Sequence, residues 1–426
     1  MAEKKQSKNY FKSIFKKLTQ SMGGNKKSVV VPSKKIVSKK LIQDIIPPKT
    51  IKISVEKKLS APKSKPLKPT NKKKIVKKVE KKKKIITGEE PIKLKKGENN
   101  PIISPRLYSW ESKATFNPAA FVYNDKVHIV YRAMGEDDSS TLGYALSSDG
   151  LNIDERPTYC IYKRSNNFVK TGPPINYSSG GGENGGCEDP RITLIDGTLY
   201  MIYTAFDGWG SLRMALSSIP VKNFEKRKWD WKKEVLISCP GEMNKNWVLF
   251  PEKINGKFAI MHSFYPEILV DYFDSLDEFN GKKFIKSNNT RPVDKDRTWD
   301  SWFRGIGPTP VKTKDGWLLL YHAMDHTNPD RYRMGALILD INDPTKILYR
   351  SKNPILEPEE EYENSGHKWG VVYSCGAVIK DEELFVYYGG ADKFVCVASI
   401  NLQELIDSLK QDKIIKLKNI KNKKKI

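Results

Sequence analysis

A recurrence constrains this chain more than any other feature. Between about residues 100 and 409 one pattern repeats five times: an apolar strand, a tight polar turn, a second β-rich strand, a variable gap and a third strand. The first two units read as strands 120–123, 127–131 and 142–147 with turn 124–126, and 192–195, 199–204 and 212–217 with turn 196–197. The third reads as 251–254, 258–262 and 268–272 with turn 255–256. The last two read as 309–313, 317–322 and 333–339 with turn 314–316, and 376–379, 383–388 and 394–399 with turn 380–382. Asp-Gly and Asn-Gly in such turns suit type I′ hairpins, which need positive φ at both central residues. The period of roughly 60–70 residues suggests propeller blades. The expectation is an all-β fold, a five-bladed β-propeller over 100–409, with a short closing helix at 402–409. A β-sandwich of similar strand count is the alternative, but it gives no reason for one unit to recur.

The charge lies outside that repeat. Of the formal +25, residues 1–100 carry +24, from 31 Lys, no Arg and 7 acids. Residues 410–426 carry +7, and the stretch between is left at −6. A basic nucleic-acid-binding fold is therefore excluded, because it needs the positive face on the folded body. The segment 1–99 holds three aromatics and no Trp, so it is expected to be a disordered Lys-rich tail, with 410–426 a short basic C-terminal tail. Within it, Phe11, Ile14, Phe15 and Leu18 fall at helical spacing opposite Lys12, Lys16 and Lys17, which reads as a short amphipathic helix over 10–18. Lysine tails bind polyanions without sequence specificity, so anionic lipid, RNA or acidic protein are the partners they suit. No apolar run of transmembrane length and no secretory leader is seen. The five cysteines are odd in number and scattered, which points to a reducing compartment. The expected location is the cytoplasm, with the tail able to bring the protein to an anionic membrane surface.

In a propeller, residues at equivalent blade positions converge on one channel. The ends of the second strands hold Arg132, Thr204, His262, His322 and Tyr388. Before the second unit stands Glu188-Asp189-Pro190-Arg191, read as the start of a strand, and the glycine-rich run 180–186 precedes it. All nine Trp lie between Trp110 and Trp369. Aromatic faces near carboxylates and arginines suit sugar rings. The histidines form no spaced ligand set, so neither a metal nor any other cofactor is expected.

Together, Phe116-Asn117-Pro118-Ala119, Tyr131-Arg132-Ala133, Gly186-Cys187-Glu188-Asp189-Pro190-Arg191, Leu249-Phe250-Pro251-Glu252-Lys253 and Tyr387-Tyr388-Gly389-Gly390-Ala391-Asp392 resemble glycoside hydrolase family 130, a five-bladed family of mannoside phosphorylases and some mannosidases. The resemblance implies that Asp189 is the general acid. It implies sugar contacts at Asn117, Arg132 and Asp325, a site-orienting Asp392, and a phosphate cradle of Arg213, Lys245 and His262. Tyr388 joins the substrate-binding set by its blade position. Two positions depart from the family pattern: Asn246 stands where Asp is usual, and Ser263 where Arg is usual, which removes one cation near the expected phosphate.

The expected reaction is inverting cleavage of a β-mannosidic linkage in a β-manno-oligosaccharide, by phosphorolysis to mannose 1-phosphate, with inorganic phosphate as co-substrate. Hydrolysis is the alternative and needs a second carboxylate as base, roughly 6.5–9.5 Å from the acid; Glu252 and Glu267 are the candidates. Phosphate needs no base, only cations to hold it. A non-catalytic glycan-binding propeller tethered by its basic tail is the other alternative. Glu188 beside Asp189 is expected to raise the pKa of the acid, with Arg191 opposing.

Overall fold

The computed structural model describes residues 91–164, 184–207, 211–287, 292–295, 297 and 299–412. The helix expected at 10–18, the expected tails apart from 91–99 and 410–412, and residues 180–183 of the glycine-rich run lie outside them. The described chain is all-β with few helices. After β1 (Lys95–Lys96) come β2 (Ala114–Tyr123), β3 (Lys126–Met134) and β4 (Ser140–Ser147), then β5 (Gly186–Ile195), β6 (Thr198–Phe206), β7 (Leu212–Pro220) and β8 (Val235–Leu236). Next are β9 (Val248–Leu249), β10 (Phe258–Ser263) and β11 (Leu269–Phe273), followed by β12 (Trp302–Ile306), β13 (Val311–Thr313), β14 (Gly316–Asp325), β15 (Asn328–Leu339) and β16 (Ile347–Arg350). The last strands are β17 (Val372–Lys380), β18 (Glu383–Gly390) and β19 (Phe394–Asn401), and the chain continues into a helix at Leu402–Gln411.

Local chemistry explains the hairpins. Asn124 and Asp125, Asp196 and Gly197, Asn255 and Gly256, and Asp381 and Glu382 all have positive φ, the backbone a type I′ turn demands. The fourth turn differs, with only Gly316 at positive φ. Strands pair antiparallel as β2-β3-β4, β5-β6-β7-β8, β9-β10-β11, β12-β14-β15-β16 and β17-β18-β19. A single parallel pair, Ser140 with Gly186, links the first two groups into one seven-stranded sheet.

The third unit corrects the sequence expectation. Its first strand is Val248–Leu249, upstream of the expected 251–254. The Phe250 amide still bonds Ala259 at 3.0 Å, but Pro251 has no N–H to continue the ladder. The Glu-Asp-Pro-Arg step is also placed differently. β5 begins at Gly186, so Pro190 lies inside the strand, where the register shifts between Glu188 and Arg191. The missing N–H of proline then falls in a bulge, which has no ladder bond to lose.

Apolar side chains join each group of strands to the next. Tyr144 and Leu142 meet Met201 and Tyr203; Ile202 and Met214 meet Trp247 and Ile260; Phe250 and Met261 meet Phe303 and Trp317. Leu318 and Met334 meet Val372 and Val386, and Tyr387 and Val395 return to Ile129 and Tyr131 of the first group. Each fully buried large side chain stabilises the fold by roughly 1.5–3 kcal/mol.

Residues 95–96, within the stretch expected to be tail, complete the last sheet: Lys95 and Lys96 pair with Ser399 and Ala398 of β19. Lys96 Nζ reaches the wholly buried Glu363 at 2.6 Å, and Glu363 also accepts the Tyr388 hydroxyl at 2.8 Å and the Glu359 and Glu360 amides. Removing the acceptor of a buried pair leaves a charge uncompensated. Glu363→Ala is therefore expected to lower the unfolding free energy by about 3–5 kcal/mol. Lys93→Ala, which breaks half-exposed pairs to Glu357 and Glu359, should cost less than about 1 kcal/mol. Urea titrations of the two variants check the difference.

Candidate active site

The site is assembled from strand bulges. β2 shifts register between Phe116 and Ala119, and β5 between Glu188 and Arg191. Each bulge holds an acid or amide followed by proline, with Asn117 at φ 47° and Asp189 at φ 52°. That backbone re-aims both side chains, and Asn117 Nδ2 donates to Asp189 Oδ1 at 2.8 Å. The β18 backbone lies close enough that a Cβ on Gly389 would stand 2.3 Å from Asn117 Oδ1.

Arg132, from β3, is 1 % exposed and holds both acids. Its Nη2 reaches Glu188 Oε1 at 3.0 Å and its Nη1 reaches Asp189 Oδ1 at 3.3 Å. Its Nε donates to Ser140 Oγ at 3.0 Å, and its guanidinium lies 4.6 Å over the Phe116 ring.

Arg191 is the second centre of the network. It donates to the carbonyls of Asp189 (2.8 Å), Gly307 (2.9 Å) and Ile306 (3.1 Å), to Asn246 Oδ1 (3.2 Å) and to the Tyr373 hydroxyl (3.3 Å). Asn246 in turn accepts from Tyr373 at 2.5 Å and donates to the Arg304 carbonyl at 3.2 Å. One buried guanidinium thus ties β5 to β12, β17 and the segment before β9.

Electrostatics overturn the expected raised pKa of Asp189. Burial does push its carboxyl up, but the charges of Arg132, Lys245 and Arg191 and the Asn117 hydrogen bond outweigh that and hold it below the ordinary value. Glu188, the neighbour expected to raise it, is itself bound by Arg132. Asp392, buried at φ 51°, behaves oppositely. Burial raises its carboxyl, Lys368 opposes this, and the Asp189 charge adds to the rise. His322 is pushed down to about 3 by burial and by Arg191, so it is neutral; its Nε2 accepts the Ser374 amide at 2.9 Å and its ring stacks on Tyr373 at 4.2 Å.

The other expected site residues divide. The Lys245 charge acts on both Asp189 and Asp392. Arg213 donates from Nε to the Ser238 carbonyl at 3.1 Å and lies 5.0 Å over Phe284. His262 is buried, with Nδ1 3.2 Å from Ser287 Oγ and its ring 5.5 Å from Trp247. Neither touches Asp189 directly. Asp325 accepts the Thr327 amide and hydroxyl at the β14–β15 turn. Tyr388 is a correction: it is wholly buried in an apolar cluster with its hydroxyl donated to Glu363, so its side chain faces the core and not a substrate. Among the strand-end residues, Thr204 is likewise buried, against Met214.

Sequence reasoning did not assign Asn246, Tyr373 or His322 their places in this network. Asn246 carried a signal only as a departure from the family pattern. Tyr373 carried none, because its partners are far away in the chain.

The two carboxyls should titrate in opposite senses. A depressed folded pKa means that Asp189 contributes stability above about pH 4, lost as pH falls through its folded value. A raised one means that Asp392 contributes below about pH 4, with the contribution lost as pH rises through its folded value. Asp189→Asn is expected to flatten the acid-side fall of Tm, and Asp392→Asn to raise Tm more at neutral pH than in acid. Thermal unfolding across pH checks this; curves parallel to the wild type contradict the charge states.

Comparison with known proteins fits this arrangement. Residues 73–411 match the glycoside hydrolase family 130 model, described as β-1,4-mannooligosaccharide phosphorylase. The chain is 39% identical over 324 residues to a 1,2-β-oligomannan phosphorylase of Thermoanaerobacter sp. (strain X514), covering 74% of this chain and 99% of that one. It is 36% identical to a β-1,2-mannobiose phosphorylase of the same organism, covering 72% and 97%. Among solved structures it is similar to the β-1,2-mannobiose phosphorylase of Listeria innocua in complex with β-1,2-mannobiose, at 25% identity and a TM-score of 0.56, covering 75% of this chain and 99% of that chain. With most of its length matched by the family model, and relatives matched over nearly their whole length, the chain belongs to glycoside hydrolase family 130.

Proposed function

We propose that this protein is a β-mannoside phosphorylase, which cleaves a β-mannosidic linkage with inversion and releases mannose 1-phosphate. Its relatives at 39% and 36% identity are phosphorylases of β-1,2-linked mannosides, which supports β-1,2-linked manno-oligosaccharides as the substrate. The strand groups are read as five propeller blades with Asp189 near their common axis. Apolar clusters that run from each group to the next, and from the last back to the first, support that reading.

The position of the carboxylates carries the choice of phosphate over water. Hydrolysis with inversion needs an ionised base opposite the acid. Glu252 and Glu267, the sequence candidates, are both exposed, and Glu252 is paired with Lys312. Glu188 is bound by Arg132, and burial raises the carboxyl of Asp392. Cations are plentiful instead. Arg132, Lys245 and Arg191 act on Asp189, and an anionic nucleophile is what such a cluster attracts.

In this reading Asp189 protonates the glycosidic oxygen. Asn117, Arg132 and Asp392 hold the sugar, with Asp325 at the β14–β15 turn, and Lys245, Arg213 and His262 hold phosphate. The depressed pKa of Asp189 gains a role. A general acid must carry a proton, and a phosphate anion drawn to the same cations cancels part of their field and raises that pKa. The acid then holds its proton more readily when the nucleophile is in place, which disfavours turnover with water. The lysine-rich ends serve as an electrostatic tether to anionic surfaces, and the unpaired cysteines suit a reducing cytoplasm.

The test is product analysis on β-1,2- and β-1,4-mannobiose with and without phosphate. Mannose 1-phosphate is expected only with phosphate, and equal turnover without it contradicts the proposal. Asp189→Asn should lower kcat by about 10²–10⁴-fold with the fold retained. The rate falls as pH rises through the pKa of an acid, so the basic limb of the wild-type pH profile should move upward as phosphate is raised.

A further inference from the structure

An aromatic platform stands outside the network that holds Asp189. Two loops carry it, the segment before β2 and the segment after β4. Arg106 donates to the carbonyls of Arg156, at 3.2 Å, and of Pro157, and the Trp110 indole donates to the Thr158 carbonyl at 2.9 Å. Beneath these bonds the wholly buried Glu111 accepts from Arg106 Nε at 2.5 Å, from Arg156 Nη2 at 2.7 Å and from the Tyr131 hydroxyl at 2.9 Å. The loops are therefore stitched to each other and to β3. The apolar side chains they carry still face water: Leu107 is fully exposed, Tyr108 is 40 % exposed and Tyr159 is 49 % exposed. The Tyr108 ring is backed by the Arg106 guanidinium at 4.9 Å.

Clustered apolar side chains held in water call for a ligand, and rings on loops already fixed lose little freedom when one lands on them. The chemistry of the patch narrows the choice. Both arginines turn their guanidinium groups inward to the acceptors just named, so rings, hydroxyls and one aliphatic side chain face outward and suit an uncharged partner. The three side chains offer less than about 500 Å², short of the roughly 800 Å² per partner that a stable dimer needs. The platform also stands at the site end of the first strand group. The Glu136 amide bonds the Ser109 carbonyl and the Ile161 amide bonds the Leu142 carbonyl, each at 2.8 Å. Leu142 is the ladder partner of Arg132. Glu136 lies four residues past Arg132, at most about 13 Å along an extended chain. That is beyond the two sugars flanking a bond broken at Asp189 and within the span of a longer saccharide.

We infer that Tyr108 and Tyr159, with Leu107 beside them, form a distal sugar-binding surface that takes the outer mannosyl units of a manno-oligosaccharide while its end is cleaved at Asp189. This rests on the reading of the chain as an enzyme of β-mannosides, and not on the choice of phosphate over water. The C–H face of a pyranose packs on each ring, and the phenol hydroxyls meet the sugar hydroxyls as donors or acceptors. The surface selects for chain length and leaves the cleavage step to the residues around Asp189.

The experiment compares the full-length wild type with the double variants Tyr108→Ala/Tyr159→Ala and Tyr108→Phe/Tyr159→Phe on β-1,2-mannobiose and β-1,2-mannotetraose. The alanine variant is expected to lower the ratio of kcat/KM for tetraose to that for mannobiose about fivefold or more, the worth of one or two stacked rings. The phenylalanine variant, which keeps the rings, should retain most of that preference, and Tm should not move. A ratio that stays at the wild-type value, or a fall shared equally by both sugars, overturns the inference. So does a dimeric wild type, by light scattering, that the alanine variant turns into a monomer with the ratio unchanged. Calorimetric titration of tetraose, with Asp189→Asn in both proteins to stop turnover, separates the surface from the phosphorylase reading. Tetraose binding weakened by the alanine substitutions supports the surface whichever nucleophile the enzyme uses. Equal binding with and without them, or none with both tyrosines present, refutes it.

Discussion

A carboxylate buried where several sheets meet must be given back the charge stabilisation that water supplied, and this structure is organised around doing so for Asp189. Arg132, Lys245 and Arg191 together outweigh the penalty of burial. Arg191 then poses the same problem in reverse, since a buried guanidinium needs acceptors for its fork of N–H groups. It finds them on carbonyls of β5 and the β12 end, on Asn246 and on Tyr373. Satisfying one side chain therefore fixes the mutual placement of strands that share no ladder. The Asp189 pKa is a property of that assembly more than of any single pair.

Bulges turn a regular sheet into a directed site. In an unbroken strand, side chains alternate between two faces, and in β2, β3, β4 and β5 residues of both faces are buried. An extra residue at the bulge leaves the alternation and points elsewhere. β2, β5, β12 and β17 all shift register part-way along. At the first three of these shifts stand Asn117, Asp189 and Arg304. Left-handed backbone at a non-glycine residue costs roughly 1–2 kcal/mol. At Asn117 and Asp189 the hydrogen bond between them, formed with a charged acceptor, offsets part of that strain.

Much of this was legible from the residues in order. The hairpins were, because Asp196-Gly197 or Asn255-Gly256 encodes its turn locally, without help from the rest of the chain. The motif holding Asp189 and Arg191 was also visible. The third unit was misread because the segment just before the Asn255-Gly256 turn was taken as its first strand, while the ladder runs through Val248 and Leu249 and Pro251 has no N–H to extend it. Tyr388 was misread because equivalent strand ends were taken to face alike, and its side chain turns into the core toward Glu363. The sign of the Asp189 shift was misread because Glu188 is adjacent in sequence, whereas the charges that prevail are adjacent in space.

The division follows the range of the forces involved. Strand periodicity, turn type and the separation of a lysine-rich end from a mildly acidic body depend on neighbours a few residues apart, so they can be read from the order of residues. Charge state and side-chain partnership depend on contacts between distant segments. Arg191 and Tyr373 are separated by 182 positions, and Asn117 and Asp189 by 72. No local pattern encodes such meetings. They exist once the sheets have packed and water has left the space between them, and that is when a motif of ordinary residues acquires its electrostatics.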